Sequence, residues 1–465
     1  MKFLLINPPA DYEIYGKSIA AYRNYAPPLG LLYIARALED EGHNVEIIDF
    51  EAEDFVEEKI IRNLNSTDVL GLTVTAYALK NAAKISNLVK QNDQHLPILT
   101  GGPLSTIQPE QTLTDINADI CVEGEGEKIV GRIAKALEGN ENLNDIPGVH
   151  YKENNIIKKG PSAELIEDLD SISFPARHLV EKYKYGFYGG VSTSKGKATS
   201  MVTSRGCPYN CRFCCVNTIT KRYRLRSIDN IMKELDELHH KYYYILLFDD
   251  NFLDNKKRAE KIMDMIIERG YNFELGIAGV RVSDADERIF YKMKKAGVVS
   301  IAFGIESGNQ DVLDFYNKKT TIDQIERAVK LSRKAGLFTS GSFIAGAPIE
   351  TKEHLKNTFK MAVTLPLDRA VFTHLRYLKG SDLWREAVEA GKIKEHEYLV
   401  KADSKRGLGN FSYEELDKWV SNADKRFFLR PGYLLTQFFL TFLRKDLTRF
   451  KSAFYLLRNR LSGKI

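Results

Sequence analysis

The chain has 465 residues, of which 43% are hydrophobic and 28% charged, and its formal net charge is +5. Such a length predicts roughly two to four domains, and the composition excludes a disordered or collagen-like chain. Four of the five cysteines fall between Cys207 and Cys215, which argues against a disulfide framework and indicates thiolate chemistry in a reducing compartment. The apolar run at the N-terminus is too short for a signal peptide and meets Pro8 and Pro9, so we expect a cytoplasmic protein.

Residues 1–145 alternate short apolar runs with amphipathic stretches. The apolar runs predict strands at residues 3–7, 45–49, 69–74, 98–100 and 120–122. The amphipathic stretches predict helices at residues 29–41, 56–64, 79–91 and 127–137. This alternation indicates a doubly wound α/β domain with a parallel sheet, whose ligands bind at the carboxyl ends of the strands.

Small and polar residues follow the predicted strands of this first domain. The residues at these strand ends that could contact a ligand are Thr73, Thr75, Gly101, Gly102, Glu123 and Gly124. Glycines at such positions let the backbone approach a large planar or phosphorylated ligand closely. The same residues are equally typical of turns and helix starts, so by themselves they identify no ligand.

Residues 146–196 read as a connector, and a second series of strands and helices follows over residues 197–385. Strands are predicted at residues 200–204, 244–248, 273–277, 299–303, 338–344 and 370–373. Helices are predicted between them, including residues 228–242, 284–295, 322–335 and 352–363. Six such units predict a partial (β/α)6 barrel, with its chemistry at the carboxyl ends of the strands.

The loop after the first strand of the second domain carries Cys207, Cys211 and Cys214, spaced C-x3-C-x2-C. Three thiolates can bind three irons of a cubane and leave the fourth iron open to a substrate or cofactor. Zinc is the competing metal, but a closed zinc site needs a fourth ligand, and the nearest histidines lie on the following predicted helix. Cys215 could supply a fourth sulfur, although adjacent residues rarely reach the same ion. Chance clustering of cysteines is the remaining alternative.

The run Gly206-Cys-Pro-Tyr-Asn-Cys-Arg-Phe-Cys214 resembles the signature of the radical S-adenosylmethionine superfamily. The resemblance implies that Cys207, Cys211 and Cys214 bind a 4Fe-4S cluster and that S-adenosylmethionine chelates its open iron. Matching strand ends in the barrel imply a set of S-adenosylmethionine contacts, namely Phe213, Asp249, Asp250, Arg281, Glu306, Ser307 and Gly346. Without the resemblance, several of these residues would read as helix caps or surface ion pairs.

The first domain resembles the cobalamin-binding domain that precedes the barrel in one subclass of this superfamily. The resemblance is carried by Pro27-Pro-Leu-Gly-Leu-Leu-Tyr33, Gly42-His-Asn-Val-Glu-Ile-Ile-Asp49, Gly101-Gly-Pro103 and Asp119-Ile-Cys-Val-Glu-Gly-Glu-Gly-Glu127. It implies that cobalamin contacts Thr73, Thr75, Gly101, Gly102, Glu123 and Gly124. The chain lacks D-x-H-x-x-G, because Phe50, Glu51 and Ala52 follow Asp49. No histidine of that motif is therefore available to coordinate cobalt.

Residues 386–465 are predicted to form a helical region with a basic amphipathic tail. From Arg426 onward, nine basic residues face one acid, a net +8 that leaves −3 for the rest of the chain. The apolar run over residues 433–443 is too short and too polar to span a bilayer. Two interpretations stay open: the tail packs on the barrel, or it rests on an anionic membrane surface.

The resemblance implies a radical enzyme that uses a 4Fe-4S cluster, S-adenosylmethionine and cobalamin to methylate an unactivated carbon. Lipid or isoprenoid-like molecules are among the substrates expected for this subclass. The alternatives are a ring-forming or carbon-carbon bond-forming radical enzyme without methyl transfer, and a non-catalytic cobalamin or iron-sulfur sensor. The expected partners are a small-molecule or lipid substrate and an electron donor such as ferredoxin or flavodoxin, without nucleic acid. The sequence predicts no particular catalytic side chain.

Overall fold

The computed structural model describes residues 1–12, 23–188 and 191–444. The chain divides into two compact units, one from Met1 to Tyr185 and one from Gly186 onward. The predicted fold class is confirmed: a doubly wound domain is followed by a partial barrel and a helical C-terminal region. The predicted connector at residues 146–196 is split, because residues up to Tyr185 belong to the first unit. The basic tail from Lys445 on lies outside the described residues.

The first unit is built on a seven-stranded sheet. Its strands are β1 (Lys2–Asn7), β2 (Asn44–Asp49), β3 (Val69–Thr73), β4 (Ile98–Gly101), β5 (Ile120–Val122), β6 (Val149–Glu153) and β7 (Ile156–Lys159). The order is β2-β1-β3-β4-β5-β6-β7, and the five predicted strands are parallel. The sequence indicates a strand entry at residues 146–151, where β6 begins, but not β7; the two strands add an antiparallel hairpin. Asn154 and Asn155 connect them with φ angles of 52° and 64°, the left-handed pair that a two-residue hairpin turn requires.

Helices cover both faces of this sheet. They are α1 (Leu29–Asp40), α2 (Glu57–Leu64), α3 (Leu79–Asn92), α4 (Pro103–Ile107), α5 (Pro109–Ile116) and α6 (Val130–Leu137). On one face, Leu32 and Ala35 of α1 and Ile133 of α6 share a buried cluster with Phe3 and Leu5 of β1. Burial of both faces explains why the strands read as continuous apolar runs. It also leaves the carboxyl ends of the strands as the polar edge.

The described part of the second unit contains a parallel sheet and three two-stranded antiparallel sheets. Its strands are β8 (Phe187–Tyr188), β9 (Val191–Ser192), β10 (Ala198–Met201), β11 (Ser204–Arg205), β12 (Arg224–Leu225), β13 (Tyr244–Leu247), β14 (Glu274–Val280), β15 (Val298–Glu306), β16 (Phe338–Ala345), β17 (Arg369–His374), β18 (Arg376–Leu378) and β19 (Leu399–Lys401). The large sheet has the order β10-β13-β14-β15-β16-β17, and all its pairs are parallel. All six predicted barrel strands are therefore present, in sequence order.

Helices follow the strands of the second unit. They are α7 (Val216–Thr220), α8 (Ile228–Leu238), α9 (Lys256–Arg269), α10 (Glu287–Lys295), α11 (Gln310–Phe315), α12 (Ile322–Lys334), α13 (Lys352–Thr364), α14 (Asp382–Glu389), α15 (Tyr413–Phe428) and α16 (Pro431–Arg444). Residues of β16 alternate strictly between half-buried and buried, and the buried Phe343 joins the core formed with the helices. The opposite, half-buried face of β16 carries Ser340 and Ser342 and is the concave side of the partial barrel.

The last two described helices differ in how they are covered. Trp419 and Phe427 of α15 contact Phe372 of β17, with ring centroids 5.6 and 6.5 Å apart, so α15 packs over the last barrel strand. In α16, Tyr433 donates a 2.8 Å hydrogen bond to the carbonyl of Asp368, while Leu435 and Phe439 are 60% and 63% exposed. Across the described ranges, no helix is long and apolar enough to cross a membrane.

Candidate functional site

Four of the cysteines, including Cys207, Cys211 and Cys214, lie on one loop that follows β10. This cysteine loop, residues 206–215, follows β11, which forms a short antiparallel pair with β12. Gly206 begins the loop with φ 88°, and a Cβ there would lie 2.5 Å from the carbonyl oxygen of Arg222, so only glycine fits. Its N–H donates to the carboxylate of Asp250 at 3.2 Å. The β11–β12 pair and this hydrogen bond fix the position at which the loop begins.

The cysteines of the loop are free thiols. Cys214 is exposed at the loop surface, yet the protein packed around it desolvates its thiolate and raises its pKa to about 12. Desolvation also raises the pKa of Cys207. Within the ranges that the structure describes, no three His, Cys, Asp or Glu side chains are arranged around a single metal ion. A cubane differs from such a site because each cysteine binds its own iron, so the sulfurs need not converge on one point.

The segment after α11 holds the cysteine loop in place. The backbone N–H of Arg212 donates to the carbonyl of Tyr316 at 3.0 Å, and its guanidinium donates to the carbonyl of Phe315 at 2.9 Å. Asn317 donates to the carbonyl of Asn210 at 2.8 Å. The ring of Phe213 packs edge-on against that of Tyr316, with centroids 5.1 Å apart. The aromatic residue of the signature is therefore anchored in the protein beside the cysteines.

Arg281, which follows β14, lies against the same loop. Its guanidinium stacks 3.6 Å from the ring centroid of Tyr209 and donates to the sulfur of Cys211 at 3.6 Å. A second N–H donates to the carbonyl of Lys318. Arg281 is only 5% exposed. The predicted residue therefore lies at the cysteines, in contact with a sulfur.

Glu306, at the end of β15, forms a buried ion pair that the sequence did not predict. Lys318 donates to its carboxylate at 2.7 Å, and each residue is 6% exposed. Glu306 has φ 66°, a left-handed conformation that costs a non-glycine residue about 1–3 kcal/mol and is typical of functional sites. A Cβ at Gly304 would lie 2.5 Å from this carboxylate and 2.8 Å from the Lys318 Nζ, so the glycine makes room for the pair.

Asp249 and Asp250 end the second barrel strand and differ in their surroundings. Asp249 is 3% exposed, and its carboxylate accepts hydrogen bonds from the backbone N–H and hydroxyl of Thr203 and from the hydroxyl of Ser204. These contacts join β13 to the chain leading into the cysteine loop and give Asp249 a structural role. Asp250 is exposed and reaches the loop at Gly206. Of the two predicted carboxylates, Asp250 has the position suited to a cofactor contact.

Ser307 and Gly346 lie in packed surroundings. Ser307 is fully buried and bonds to the hydroxyl of Thr358 at 3.2 Å. The N–H groups of Gly346 and Ala347 donate to one oxygen of the buried Glu350 at 2.6 and 2.8 Å. Burial raises the pKa of Glu350 to about 7. Both residues are therefore hydrogen-bonded within the loops of the barrel, and their contact with S-adenosylmethionine stays a prediction.

In the first unit, the ends of β3 and β4 form a glycine-rich edge. Thr73 and Gly101 are register partners, and both are half-buried. A Cβ at Gly101 would meet no described atom within 4 Å. Gly102 has φ 109°, and a Cβ there would lie 3.0 Å from the Thr73 hydroxyl and 3.1 Å from the backbone N of Val74. The edge therefore has free space next to Gly101, whereas Gly102 is packed closely against Thr73 and Val74.

The neighbouring end of β5 is tied to this edge by Thr106, which the sequence reading did not include. Its hydroxyl donates to the carbonyl of Gly102 at 3.0 Å and accepts from the N–H of Gly124 at 3.1 Å. Glu123 pairs with His150 at 3.2 Å, so its carboxylate is already engaged within the protein. The structure therefore gathers Thr73, Gly101, Gly102 and Gly124, while Glu123 has a partner of its own. Thr75 is half-buried and lies two residues after the end of β3.

Asp49, where a cobalt-ligating histidine motif would begin, is fully buried at the end of β2. Its carboxylate accepts hydrogen bonds from Tyr185 and Asn7, each at 2.7 Å, and from the N–H of Glu51 at 3.0 Å. Burial raises the pKa of Asp49 to about 6. These contacts make Asp49 a tie between β1, β2 and the end of the first unit.

Family models match both units of the chain. The model described as the radical SAM superfamily matches residues 201–362, and the B12 binding domain matches residues 17–134. The first covers the cysteine loop and most of the barrel strands. The second covers the glycine-rich edge of the first sheet.

Known proteins resemble the chain over nearly its whole length. An uncharacterized methyltransferase of Pyrococcus horikoshii is 34% identical, over 94% of this chain and 95% of its own. The anaerobic magnesium-protoporphyrin IX monomethyl ester cyclase of Rubrivivax gelatinosus is 28% identical, over 93% of this chain and 78% of its own. The solved structure of OxsB, a cobalamin-dependent S-adenosylmethionine radical enzyme, superposes with a TM-score of 0.73 at 17% identity, over 97% of this chain and 72% of OxsB.

The shared architecture is that of a radical S-adenosylmethionine barrel preceded by a cobalamin-binding domain. The chain belongs to the family of cobalamin-dependent radical S-adenosylmethionine enzymes. The predicted family, enzyme class and cofactor set of 4Fe-4S cluster, S-adenosylmethionine and cobalamin are thereby confirmed, and the class is that of a radical methyltransferase.

The residues present fit these groups. The cysteine loop offers the free thiols of Cys207, Cys211 and Cys214, and Arg281 joins the loop to the segment of Lys318 by hydrogen bonds to the Cys211 sulfur and the Lys318 carbonyl. The open surface at Gly101 and the left-handed Gly102 provide the flat backbone that a macrocycle needs.

Lys318 is the main residue of the site that sequence reasoning missed. It stands in Phe315-Tyr-Asn-Lys-Lys319, where a lysine pair after a helix usually indicates a solvated surface. The nearest signal was Gly304 two positions before Glu306, which indicates that something large lies over the strand. Only the packing of this segment on β15 reveals that the partner is a lysine.

Proposed function

We propose that this enzyme binds S-adenosylmethionine between the cysteine loop and the Glu306 and Lys318 pair, and transfers a methyl group through cobalamin to an unactivated carbon of a small molecule. The observation that carries the proposal is the buried ion pair, whose lysine Nζ lies 6.0 Å from the ring centroid of Phe213 in the cysteine loop. When bound, the cluster and cobalamin supply the electron transfer and the methyl carrier, and the protein orients the reactants and excludes water. A ferredoxin or flavodoxin is the proposed electron donor, and no nucleic-acid partner is proposed.

The methionyl end of S-adenosylmethionine carries one amino and one carboxylate group. Glu306 and Lys318 present the complementary pair of charges in a site that is almost closed to solvent. Charge-assisted hydrogen bonds are strong in such surroundings, so the pair can orient the cofactor at the cysteines. Phe213 adds an aromatic surface 6.0 Å from the lysine Nζ, and Asp250 adds a carboxylate at Gly206. These four residues form the proposed S-adenosylmethionine contacts, with Cys207, Cys211 and Cys214 as the proposed cluster ligands.

Cobalamin is proposed to lie on the edge formed by Thr73, Thr75, Gly101, Gly102 and Gly124. The open space over Gly101 and the hydroxyl groups of the threonines support this placement, because a large macrocycle needs a flat surface with a few hydrogen-bonding groups. Glu123 orients its loop through His150.

The methyl transfer can be tested in cells that are fed trideuteromethyl methionine. Extracts of small molecules and lipids from a strain with the wild-type chain are compared by mass spectrometry with those from a Cys214→Ala strain. We expect a compound with a trideuterated methyl group that is present only with the wild-type chain. The same compound in both strains would contradict the proposal.

Ring formation is a second candidate function. It is favoured by the cyclase of Rubrivivax gelatinosus, which matches 93% of this chain. In the same experiment a cyclase would leave a product that depends on the chain but carries no more labelled methyl groups than its precursor. The label therefore separates the two activities.

We further propose that α16 and the basic tail contact an anionic membrane surface and that the substrate is lipid-like. Support comes from the exposed Leu435 and Phe439 and from the net +8 of the sequence beyond residue 425. Binding of the full chain to vesicles with anionic headgroups should fall strongly in a Leu435→Ser, Phe439→Ser double variant. Matched neutral vesicles are the control, and equal binding of both proteins to anionic vesicles would reject the contact.

A further inference from the structure

We infer that Arg281 is a positioning residue that holds the cysteine loop and makes the iron-sulfur cluster easier to reduce. This goes beyond the proposed function, on which it rests only for the presence of the cluster at Cys207, Cys211 and Cys214. The inference concerns the electron that enters the site, and it is independent of the methyl acceptor.

The geometry of Arg281 places its charge on the loop. One guanidinium N–H points at the sulfur of Cys211 at 3.6 Å, and the plane stacks on Tyr209 at 3.6 Å. Tyr209 and Cys211 are two residues apart in the loop, so the Arg281 side chain contacts the loop at two neighbouring residues. The bond to the carbonyl of Lys318 ties the guanidinium to the segment that also carries the lysine of the buried pair.

The charge of Arg281 is not neutralised by a direct partner. Among the described residues, no carboxylate oxygen lies within salt-bridge distance of its guanidinium, and its Nε–H has no hydrogen-bond partner. Its contacts are a sulfur, an aromatic face and a carbonyl, and the side chain is almost completely buried. An arginine stays protonated even in such surroundings. A fixed positive charge therefore lies beside one cluster ligand.

A positive charge and a hydrogen bond at a ligating sulfur both stabilise the reduced cluster, because reduction adds one negative charge. Hydrogen bonds to the sulfurs and local charge are recognised determinants of cluster potential. When a reductant gives one electron to the cluster, Arg281 offsets part of the added charge. Its removal should therefore shift the potential to more negative values without removing any ligand.

The test uses the reconstituted full chain without S-adenosylmethionine, cobalamin or substrate, so that failure of the proposed function does not affect it. Iron content is measured, and the midpoint potential follows from the spin-resonance signal of the reduced cluster during titration with dithionite. For Arg281→Gln we expect unchanged iron and about a tenfold lower ratio of reduced to oxidised cluster at the wild-type midpoint, which is about 59 mV for one electron. Arg281→Lys, which keeps the charge, should shift less.

Arg288→Gln is the matched control, because Arg288 is 76% exposed and pairs with Glu260 on the surface. It should leave the potential unchanged. An unchanged potential in Arg281→Gln with full iron content would overturn the inference, even if its affinity for S-adenosylmethionine fell, since Arg281 would then be a ligand of that cofactor. If Arg281→Gln does not retain iron, the midpoint potential of Tyr209→Leu is measured in its place. This substitution removes the stacking surface, so a shift to more negative potential supports the inference and an unchanged potential rejects it.

Discussion

The carboxyl edges of the two parallel sheets have opposite chemistry. In the first unit the edge consists of glycines and hydroxyl groups, and the space above Gly101 is open. In the second unit the edge carries Arg281 and the buried pair of Glu306 and Lys318, all almost closed to solvent. A large macrocycle is bound through an extended contact area, whereas a small charged cofactor is bound through a few strong, charge-assisted hydrogen bonds. The difference predicts that single substitutions act more severely at the second edge.

The largest effect is expected for Lys318→Met. Removal of one partner leaves Glu306 as a buried, unpaired charge, which should lower the free energy of unfolding by about 3–5 kcal/mol. Urea denaturation measures the loss, and equilibrium dialysis should show that labelled S-adenosylmethionine no longer binds. The Glu306→Gln, Lys318→Met double variant should regain stability but not binding. Recovery of binding in the double variant would show that the pair is only structural.

Two buried groups behind the second edge should act in opposite directions as the pH changes. The pKa of Glu350 is raised to about 7, so its contribution to stability falls as the pH rises from about 4.5 to 7. Burial lowers the pKa of His374 to about 4, so its contribution rises between pH 4 and 6.5. Each effect amounts to about 3 kcal/mol at most, and the two largely cancel.

Single substitutions should reveal how each of the two groups makes the unfolding free energy depend on pH. Glu350→Gln can still accept the N–H groups of Gly346 and Ala347, and should make stability increase more steeply with pH than in the wild type. In His374→Gln, the unfolding free energy should decrease as the pH rises. Urea unfolding of the apoprotein at pH 5 and pH 7 measures both. If the unfolding free energies of the three proteins changed with pH in the same way, the opposite contributions of Glu350 and His374 would be contradicted.

At the first edge, Gly102→Ala and Gly101→Ala separate backbone strain from ligand contact. Gly102 has φ 109° and no room for a Cβ, so alanine should cost about 1–3 kcal/mol of unfolding free energy. Gly101→Ala should leave stability unchanged but weaken the binding of aquacobalamin, because the new methyl group enters the proposed cofactor surface. Absorbance titration measures this affinity. Wild-type affinity in Gly101→Ala would place cobalamin elsewhere.

The sequence determined the folds and the cysteine loop because both rest on local patterns. Apolar runs separated by amphipathic stretches predict parallel strands directly, and Cys207 follows its strand immediately. Lys318 and the role of Asp249 depend instead on contacts between distant segments. Asp249 is bonded to Thr203 and Ser204 only because β10 and β13 are neighbours in the sheet. The β6 and β7 hairpin is a different case, since Asn154-Asn155 between two apolar runs already indicates its turn.

The smallest effect is expected for Cys215, which no step of the proposed function uses. It precedes α7 as the N-terminal cap residue, and its Cβ lies close to Gly380, where an added Cβ would come within 3.5 Å. Cys215→Ala should retain the iron content of the wild type and change the unfolding free energy by less than about 0.5 kcal/mol. Cys214→Ala, one position earlier, should lose the cluster. Loss of iron in Cys215→Ala would show that the second edge uses a fourth sulfur and would bring the closed metal site back as the better reading of the loop.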